Sequence, residues 1–123
     1  MAKSVRDVME RDPLMIDART SIEEAAHLMR ASNVGDVLVI DQGELRGVLT
    51  NADIVVFAIA AGRHPATILA GDCCDADWPS VAASDSASTA FDLLQQHEVE
   101  RVPVLDEGQV VGTVSLASLG LTA

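Results

Sequence analysis

Thr50 and Asp53 stand three residues apart, where an apolar β-type run gives way to an apolar helical one. A helix start offers unpaired backbone N–H groups and a positive dipole potential, which suits a phosphate. A carboxylate one turn later can accept two hydrogen bonds from a ribose diol, as an acidic residue does in dinucleotide folds. The same Thr-x-x-Asp spacing is that of a capping box, in which two side chains only close the end of a helix. The pair therefore predicts either a nucleotide site or a helix cap.

Arg101 is the third residue with a potential chemical role, because it is a lone cation in an acidic half of the chain. The formal net charge is −11, and every other Lys or Arg lies at or before Arg63. Arg101 begins a run that is typical of a buried strand, so its guanidinium needs a carboxylate or a phosphate as partner. The acidic balance argues against nucleic acid and anionic membranes as partners, since both need basic patches.

Composition limits the fold that positions these residues. The 123 residues suit one domain or two small halves, and the core is aliphatic, since aromatic residues make up only 2%. The N-terminus lacks the apolar core of a signal peptide, and the longest apolar run, 54–61, is too short to cross a bilayer. We therefore expect a soluble, cytoplasmic protein.

An internal repeat organises the chain. A shift of 65 positions aligns the two halves without a gap, so that Thr50 falls on Ser115 and Gly47 on Gly112. Self-similarity at a fixed period indicates two copies of one supersecondary unit. Further identities at this spacing are Asp7 with Asp72, Ser21 with Ser86, Ala25 with Ala90, Val39 with Val104, Asp41 with Asp106 and Gly43 with Gly108.

Each copy reads as strand, helix, hairpin and helix. In the first copy we predict strands at 14–16, 37–40 and 45–49, a helix capped by Thr20 or Ser21, and a second helix from about Asn51 to Ala61. In the second copy we predict strands at 80–81, 102–105 and 109–114, a helix over 86–97, and a final helix starting over 116–119. The segment 63–78 joins the copies and is predicted to hold a short helical turn near Ile68.

Three features together resemble the CBS domain. They are the β-α-β-β-α order, the run Val-Pro-Val-Leu-Asp at 102–106, and Gly-h-h-Thr-x-x-Asp at 47–53, where h is apolar. Two such repeats are similar to a CBS pair, or Bateman module, of the stand-alone bacterial kind. The resemblance implies an α/β (α+β) fold with two repeats packed about a pseudo-two-fold axis. We place repeat 1 at 1–62, a linker and the start of repeat 2 at 63–79, and repeat 2 at 80–123.

The resemblance also implies a regulatory module that binds AMP, ADP, ATP or S-adenosylmethionine in a cleft between repeats, with no cofactor required. In that family the junction Thr contacts phosphate and the Asp contacts ribose, which here are Thr50 and Asp53. Arg101 matches a basic residue directed at phosphate. The residues that match positions beside the base are Val48, Val99 and, less directly, Ser80.

The second copy departs from this pattern. Ser118 stands where the ribose-binding Asp is expected after Ser115, and Asp36 stands where a counterpart of Arg101 is expected. A carboxylate there opposes any phosphate. If each cleft draws on both repeats, both losses fall on the same cleft. We therefore expect one nucleotide site per chain and a degenerate second site at Ser115, Ser118 and Asp36.

Other features leave three alternatives open: a ligand-sensing module that reports to a partner protein, a ligand-free interaction protein, and an enzyme. The run Ile54–Ile59 has more aliphatic surface than one small sheet can cover, and CBS pairs are similar in dimerising through such helices, so we expect a homodimer. The module could instead be a ligand-free dimeric adaptor or stress protein. We find no catalytic constellation and no metal spacing, and we interpret Cys73 and Cys74 as small apolar residues in a buried turn.

Overall fold

The computed structural model describes residues 3–120, which divide into two units. Residues 14–77 form what we call the first-repeat unit. Residues 3–13 together with residues 78–120 form the second-repeat unit. Packing therefore follows other boundaries than the repeat does, because each copy's N-terminal segment lies on the other copy's sheet.

A three-stranded sheet in the order β1-β2-β3 forms the centre of the first-repeat unit. β1 (Met15–Asp17) pairs in parallel with β2 (Asp36–Asp41), which pairs antiparallel with β3 (Glu44–Thr50). The β2–β3 connection turns at Gln42 and Gly43, whose φ angles of 53° and 83° are the left-handed values of a tight hairpin. The three predicted strands are confirmed.

Helix α2 (Ile22–Ser32) follows β1 and begins at the cap Ser21, whose Oγ accepts the N–H of Glu24 at 3.1 Å. It ends at Asn33, which adopts the left-handed conformation with φ 55°. Its buried residues Ile22, Ala25 and Met29 recur at helical spacing, as the sequence predicts.

The helical segment after β3 differs from the predicted single helix. Four α-helical residues, α3 (Asn51–Ile54), are followed by a π-helix over Val55–Ala60. The N–H of Arg63 reaches back five residues to the carbonyl of Ala58 at 2.9 Å, and Gly62 with φ 68° ends the segment. A 3₁₀ turn over Pro65–Thr67 then confirms the predicted turn near Ile68 and leads to α4 (Ala70–Cys73).

The second-repeat unit repeats this architecture. Its sheet has the order β4-β5-β6, and its α5 is capped by Ser86. The hairpin bulge between Val104 and Leu105 corresponds to the one between Val39 and Ile40. The element bounds are Val81–Ala82 for β4, Ala87–His97 for α5, Arg101–Asp106 for β5 and Gln109–Ser115 for β6.

The predicted final helix over 116–119 is wrong, since residues 116–120 form turns. The N–H of Leu119 donates to Ser115 O at 3.1 Å, and the N–H of Gly120 then donates to Ala117 O, three residues back. Gly120 adopts φ 79°, which ends the helical conformation. No helix in the described part of the chain is long and apolar enough to cross a membrane.

Each unit contains a short helix that comes from the other copy of the repeat. Helix α1 (Val5–Val8) belongs to the second-repeat unit, where Ser4 bridges Ser86 and Glu10 bridges Thr113. The equivalent positions on either side of α4 make the same bridges in the first-repeat unit, between Leu69 and Ser21 and between Asp75 and Val48. Each copy therefore supplies the helix that covers the other copy's sheet.

Each sheet buries one face in an aliphatic core. In the first-repeat unit, Val37, Val39 and Leu49 contribute to the core with residues of α2, while Leu38 and Val48 alternate with them and face the other side of the sheet. The core of the second-repeat unit consists of Val5, Met9, Val81, Ala83, Ala90, Leu94, Val102, Val104 and Val114.

Candidate functional site

The junction of β3 and α3 holds Thr50 and Asp53 in a reciprocal pair of hydrogen bonds. Thr50 Oγ1 accepts the N–H of Asp53 at 3.2 Å, and Asp53 Oδ2 accepts the N–H of Thr50 at 2.9 Å. Both residues are half-buried. The capping box that the spacing allows is therefore present. The capping box uses only Oδ2 of the Asp53 carboxylate. Oδ1 lies outside the box and is a hydrogen-bond acceptor.

Ser115 and Ser118 form the equivalent junction in the second-repeat unit. Ser115 Oγ accepts the N–H of Ser118 at 3.2 Å, and Ser118 Oγ accepts the N–H of Ser115 at 2.8 Å. The Ser118 hydroxyl also donates to Ser115 O at 3.0 Å. The local backbone is thus closed as at Thr50, but the neutral hydroxyl has used its one proton and offers no second oxygen.

The sheet register places further candidate residues beside each junction. Asp36 lies opposite Thr50 in the β2–β3 pair, and Leu38 lies opposite Val48. Opposed side chains share a face of an antiparallel sheet, so these four residues lie on the face away from the core. Val48 is buried, and its predicted contact with a base stays a prediction.

The candidates from the second repeat lie in their own unit. Arg101 is the first residue of β5 and lies opposite Ser115, and its carbonyl oxygen accepts Nε1–H of Trp78 at 3.1 Å. Val99 is half-buried just before β5, and Ser80 is exposed just before β4. The structure therefore brings Thr50, Asp53, Val48 and Asp36 together in one unit, and Arg101, Val99, Ser80, Ser115 and Ser118 in the other. The predicted combination of Arg101 with Thr50 and Asp53 stays a prediction.

Asp75 and Trp78 are two site neighbours that sequence reasoning missed. Asp75 N donates to Val48 O at 2.9 Å, and Val48 N donates to Asp75 O at 3.2 Å. The indole N–H of Trp78 donates to the carbonyl oxygen of Arg101, as described above. The signals available in the sequence were that Trp78 is its single tryptophan and that Gly47 precedes Val48 on the strand.

The two cysteines behave as the sequence predicts for small apolar residues. Cys73 is buried in the core of the first-repeat unit, and Cys74 is half-buried beside it. Burial raises the pKa of both thiols, and nearby Asp72 acts in the same direction on Cys73. A raised pKa lowers the thiolate fraction and with it the nucleophilicity.

The comparisons with known proteins bear on this repeated junction. The model of the CBS domain matches the chain twice, over residues 5–59 and 70–119. The chain belongs to the CBS domain family. It is similar to the CBS domain-containing protein YhcV of Bacillus subtilis (strain 168), with 34% identity over 118 residues that cover 96% of this chain and 84% of the relative.

A second CBS relative is Hypoxic response protein 1 of Mycobacterium tuberculosis (strain H37Rv). It is 32% identical over 117 residues, which cover 94% of this chain and 82% of the relative. The crystal structure of Hypoxic Response Protein I with two coordinated zinc ions superposes with a TM-score of 0.87 at 30% identity, covering 96% of this chain and 97% of that one. The predicted family and the mixed α/β fold are therefore confirmed.

The zinc ions are a property of that relative. Among residues 3–120 of this chain, no three or more His, Cys, Asp or Glu side chains are grouped so that they could hold a metal ion. The strand-to-helix junction at Thr50 and the strand-to-turn junction at Ser115 stay the candidate positions for a ligand.

Proposed function

We propose that this CBS pair is a regulatory module that binds an adenosine-type nucleotide at Thr50 and Asp53. The ligand class comprises AMP, ADP, ATP and S-adenosylmethionine. The observation that carries the proposal is the geometry of Asp53, whose Oδ2 closes the cap at 2.9 Å while Oδ1 lies outside it. An ionised carboxylate accepts hydrogen bonds strongly, which suits two ribose hydroxyls.

The difference between the two junctions supports one site per chain. Both have the same cap geometry, so backbone shape does not distinguish them. Ser118 replaces the carboxylate with a single hydroxyl whose proton already goes to Ser115 O. A ribose diol that approached Ser118 would find one remaining lone pair on a neutral oxygen in place of a carboxylate.

The second-repeat residues complete the proposal. Arg101 is proposed to contact phosphate, Val99 to flank the base together with Val48, and Ser80 to lie near it. Each role follows from the family pattern, and Arg101→Ala should weaken binding in the titration described below. Asp36 is proposed to weaken phosphate binding at Ser115 and Ser118, since a like charge opposes the ligand.

The second candidate function is a dimeric adaptor or stress protein that has lost its ligand. Two observations favour it: a capping box alone explains the pair Thr50 and Asp53, and large apolar side chains are exposed on the π-helix. Val55, Val56 and Ile59 are 51%, 57% and 74% exposed. A homodimer through this helix is part of both proposed functions, because the run 54–62 carries no charge in a strongly acidic chain.

Calorimetric titration separates the two functions. Wild type, Asp53→Ala and the matched variant Ser118→Ala are each titrated with AMP, ADP, ATP and S-adenosylmethionine. We expect one site per chain, lost in Asp53→Ala and kept in Ser118→Ala, whereas equal loss in both variants contradicts the one-site proposal. If wild type binds none of the four ligands, the adaptor function is the better one.

A further inference from the structure

The segment Asp75–Trp78 is hydrogen-bonded at each end to a strand that carries candidate site residues. At one end, Asp75 exchanges two backbone hydrogen bonds with Val48, at 2.9 and 3.2 Å. At the other end, Trp78 Nε1–H donates to Arg101 O at 3.1 Å. The boundary between the two units falls inside this segment, after Asp77. We call Asp75–Trp78 the strap.

The first end of the strap is held closely. An ideal Cβ on Gly47 would lie 2.6 Å from Asp75 O, so only a glycine lets the strap approach β3 in this way. Asp75 Oδ1 also accepts the N–H of Asp77 at 2.9 Å, which closes a turn of the kind that Asp side chains form two residues on. This turn reduces the number of conformations that residues 75–77 can adopt.

The second end is held by the indole of Trp78. The ring packs against the core of the second-repeat unit and is half-buried. A buried indole N–H needs an acceptor, and here that acceptor is the first carbonyl of β5. A displacement of the strap therefore acts on the backbone of Arg101.

We propose that the strap transmits ligand occupancy from Thr50 and Asp53 to the indole of Trp78. The inference rests on the proposed function. Val48 lies two residues before Thr50 on the same strand, so a ligand that repositions the end of β3 also repositions both hydrogen bonds to Asp75. Because the turn at Asp77 restricts the strap, a displacement of Asp75 reaches Trp78. Asp75 thus belongs to a relay between the site and Trp78 and not to the residues that bind the ligand.

Trp78 is also the reporter for the test, because the chain contains one tryptophan. Its acrylamide quenching and emission maximum are measured with and without each of AMP, ADP, ATP and S-adenosylmethionine, and binding is measured by calorimetry on the same samples. The variants are Asp75→Ala, which removes the turn, and Asp75→Asn, which keeps an oxygen acceptor. Asp77→Ala is the matched control, because it removes a charge from the strap and keeps the backbone N–H that donates to Asp75 Oδ1.

We expect nucleotide to change the quenching of Trp78 in wild type, Asp75→Asn and Asp77→Ala. In Asp75→Ala the nucleotide still binds, but the change at Trp78 is lost. If the wild type binds nucleotide and the fluorescence of Trp78 does not change, the proposed transmission through the strap is wrong and the proposed site stands. If Trp78 responds equally in Asp75→Ala, the ligand acts on Trp78 directly and the relay is again wrong.

A second arm tests the strap if no nucleotide binds, in which case the proposed function fails. Asp53→Ala then replaces the ligand as the perturbation at the end of β3, because it removes the hydrogen bond to the N–H of Thr50. We expect it to change the quenching of Trp78 in the ligand-free protein, and to do so less when Asp75→Ala is also present. An unchanged Trp78 in the single variant overturns the relay independently of any ligand.

Discussion

Gly47 lies against Asp75 so closely that a methyl group on Gly47 would stand 2.6 Å from the Asp75 carbonyl oxygen. The equivalent Gly112 has the same relationship with Glu10 O, at 2.5 Å. The glycine at the first position of the motif Gly-h-h-Thr-x-x-Asp is therefore required by packing, independently of any ligand. It allows a segment from the other copy to pair with the strand that precedes the junction.

Gly47→Ala should therefore destabilise the protein. The added Cβ meets backbone atoms of Asp75, which cannot rotate away as a side chain can, so we expect a loss of roughly 1–3 kcal/mol in the free energy of unfolding. Urea unfolding measures it. Gly35→Ala is the matched control, because its Cβ would first meet the flexible Asn51 side chain at 3.2 Å. Equal losses in the two variants would show that close approach is not the reason.

Most of the fold could be predicted from the sequence because the elements of the repeat occur twice, so that each copy supports the prediction made for the other. The hairpins were marked by Gly43 and Gly108, both of which adopt positive φ. The exchange of α1 and α4 between copies was not predicted. Their apolar residues, such as Val5 and Ala70, cover only a single turn of helix, too short for a periodicity to show where they pack.

The candidate site was predicted in part for a different physical reason. Thr50 and Asp53 are three residues apart, so their contact is a local property that spacing alone can indicate. The contacts of Asp75 with Val48 and of Trp78 with Arg101 join residues far apart in the chain. The first is made by backbone atoms alone and the second ends on a backbone carbonyl, so the side-chain types of Val48 and Arg101 do not indicate the pairing. The π-helix over 55–60 was also not predicted, because apolar spacing does not distinguish it from an α-helix.

The two caps should contribute similarly to stability. Thr50→Ala and Ser115→Ala each remove a hydroxyl that accepts an N–H at 3.2 Å. We expect each to lower the free energy of unfolding by about 1 kcal/mol, the size of an N-cap substitution, because Ser115 closes its turn with the same hydrogen bond with which Thr50 caps α3. Thermal unfolding followed by circular dichroism measures both. A much larger loss for Thr50→Ala than for Ser115→Ala would mean that Thr50 has a structural role beyond its cap.

Val5→Ala should weaken the second-repeat unit, although Val5 belongs to the first copy of the repeat. Val5 is fully buried in that unit's core, where its N–H donates to Asp85 O at 2.8 Å. We expect a loss of roughly 1–3 kcal/mol from the lost methyl groups and the cavity. The measurement is urea unfolding followed by Trp78 fluorescence. The exposed Lys3→Ala serves as a control, and no loss in Val5→Ala would contradict the exchange of segments.

Acid should weaken the N-terminal segment through Asp7. The N–H of Ser4 and then its hydroxyl donate to the Asp7 carboxylate and hold its pKa below the ordinary 3.8. A lowered folded-state pKa means that the contribution is complete above the unfolded pKa and is lost as pH falls through the folded one. Asp7→Asn should thus reduce the pH dependence of stability below about pH 4. Urea unfolding at several pH values tests this against Asp92→Asn, which removes the same charge elsewhere.

The apolar π-helix should hold a homodimer together, and Ile59→Asp should separate it. Ile59 is the most exposed large apolar side chain in the described part of the chain, at 74%, so an aspartate there leaves the core intact. In a dimer it would place two carboxylates in an uncharged interface of an already acidic protein, and burying them without partners is costly. Sedimentation velocity should show a dimer for wild type and for Gln42→Asp, which adds the same charge at the exposed hairpin turn. Ile59→Asp should sediment as a monomer with an unchanged circular dichroism spectrum. A wild type that is monomeric at micromolar concentration would refute the interface, and a dimer that persists in Ile59→Asp would place it on another surface.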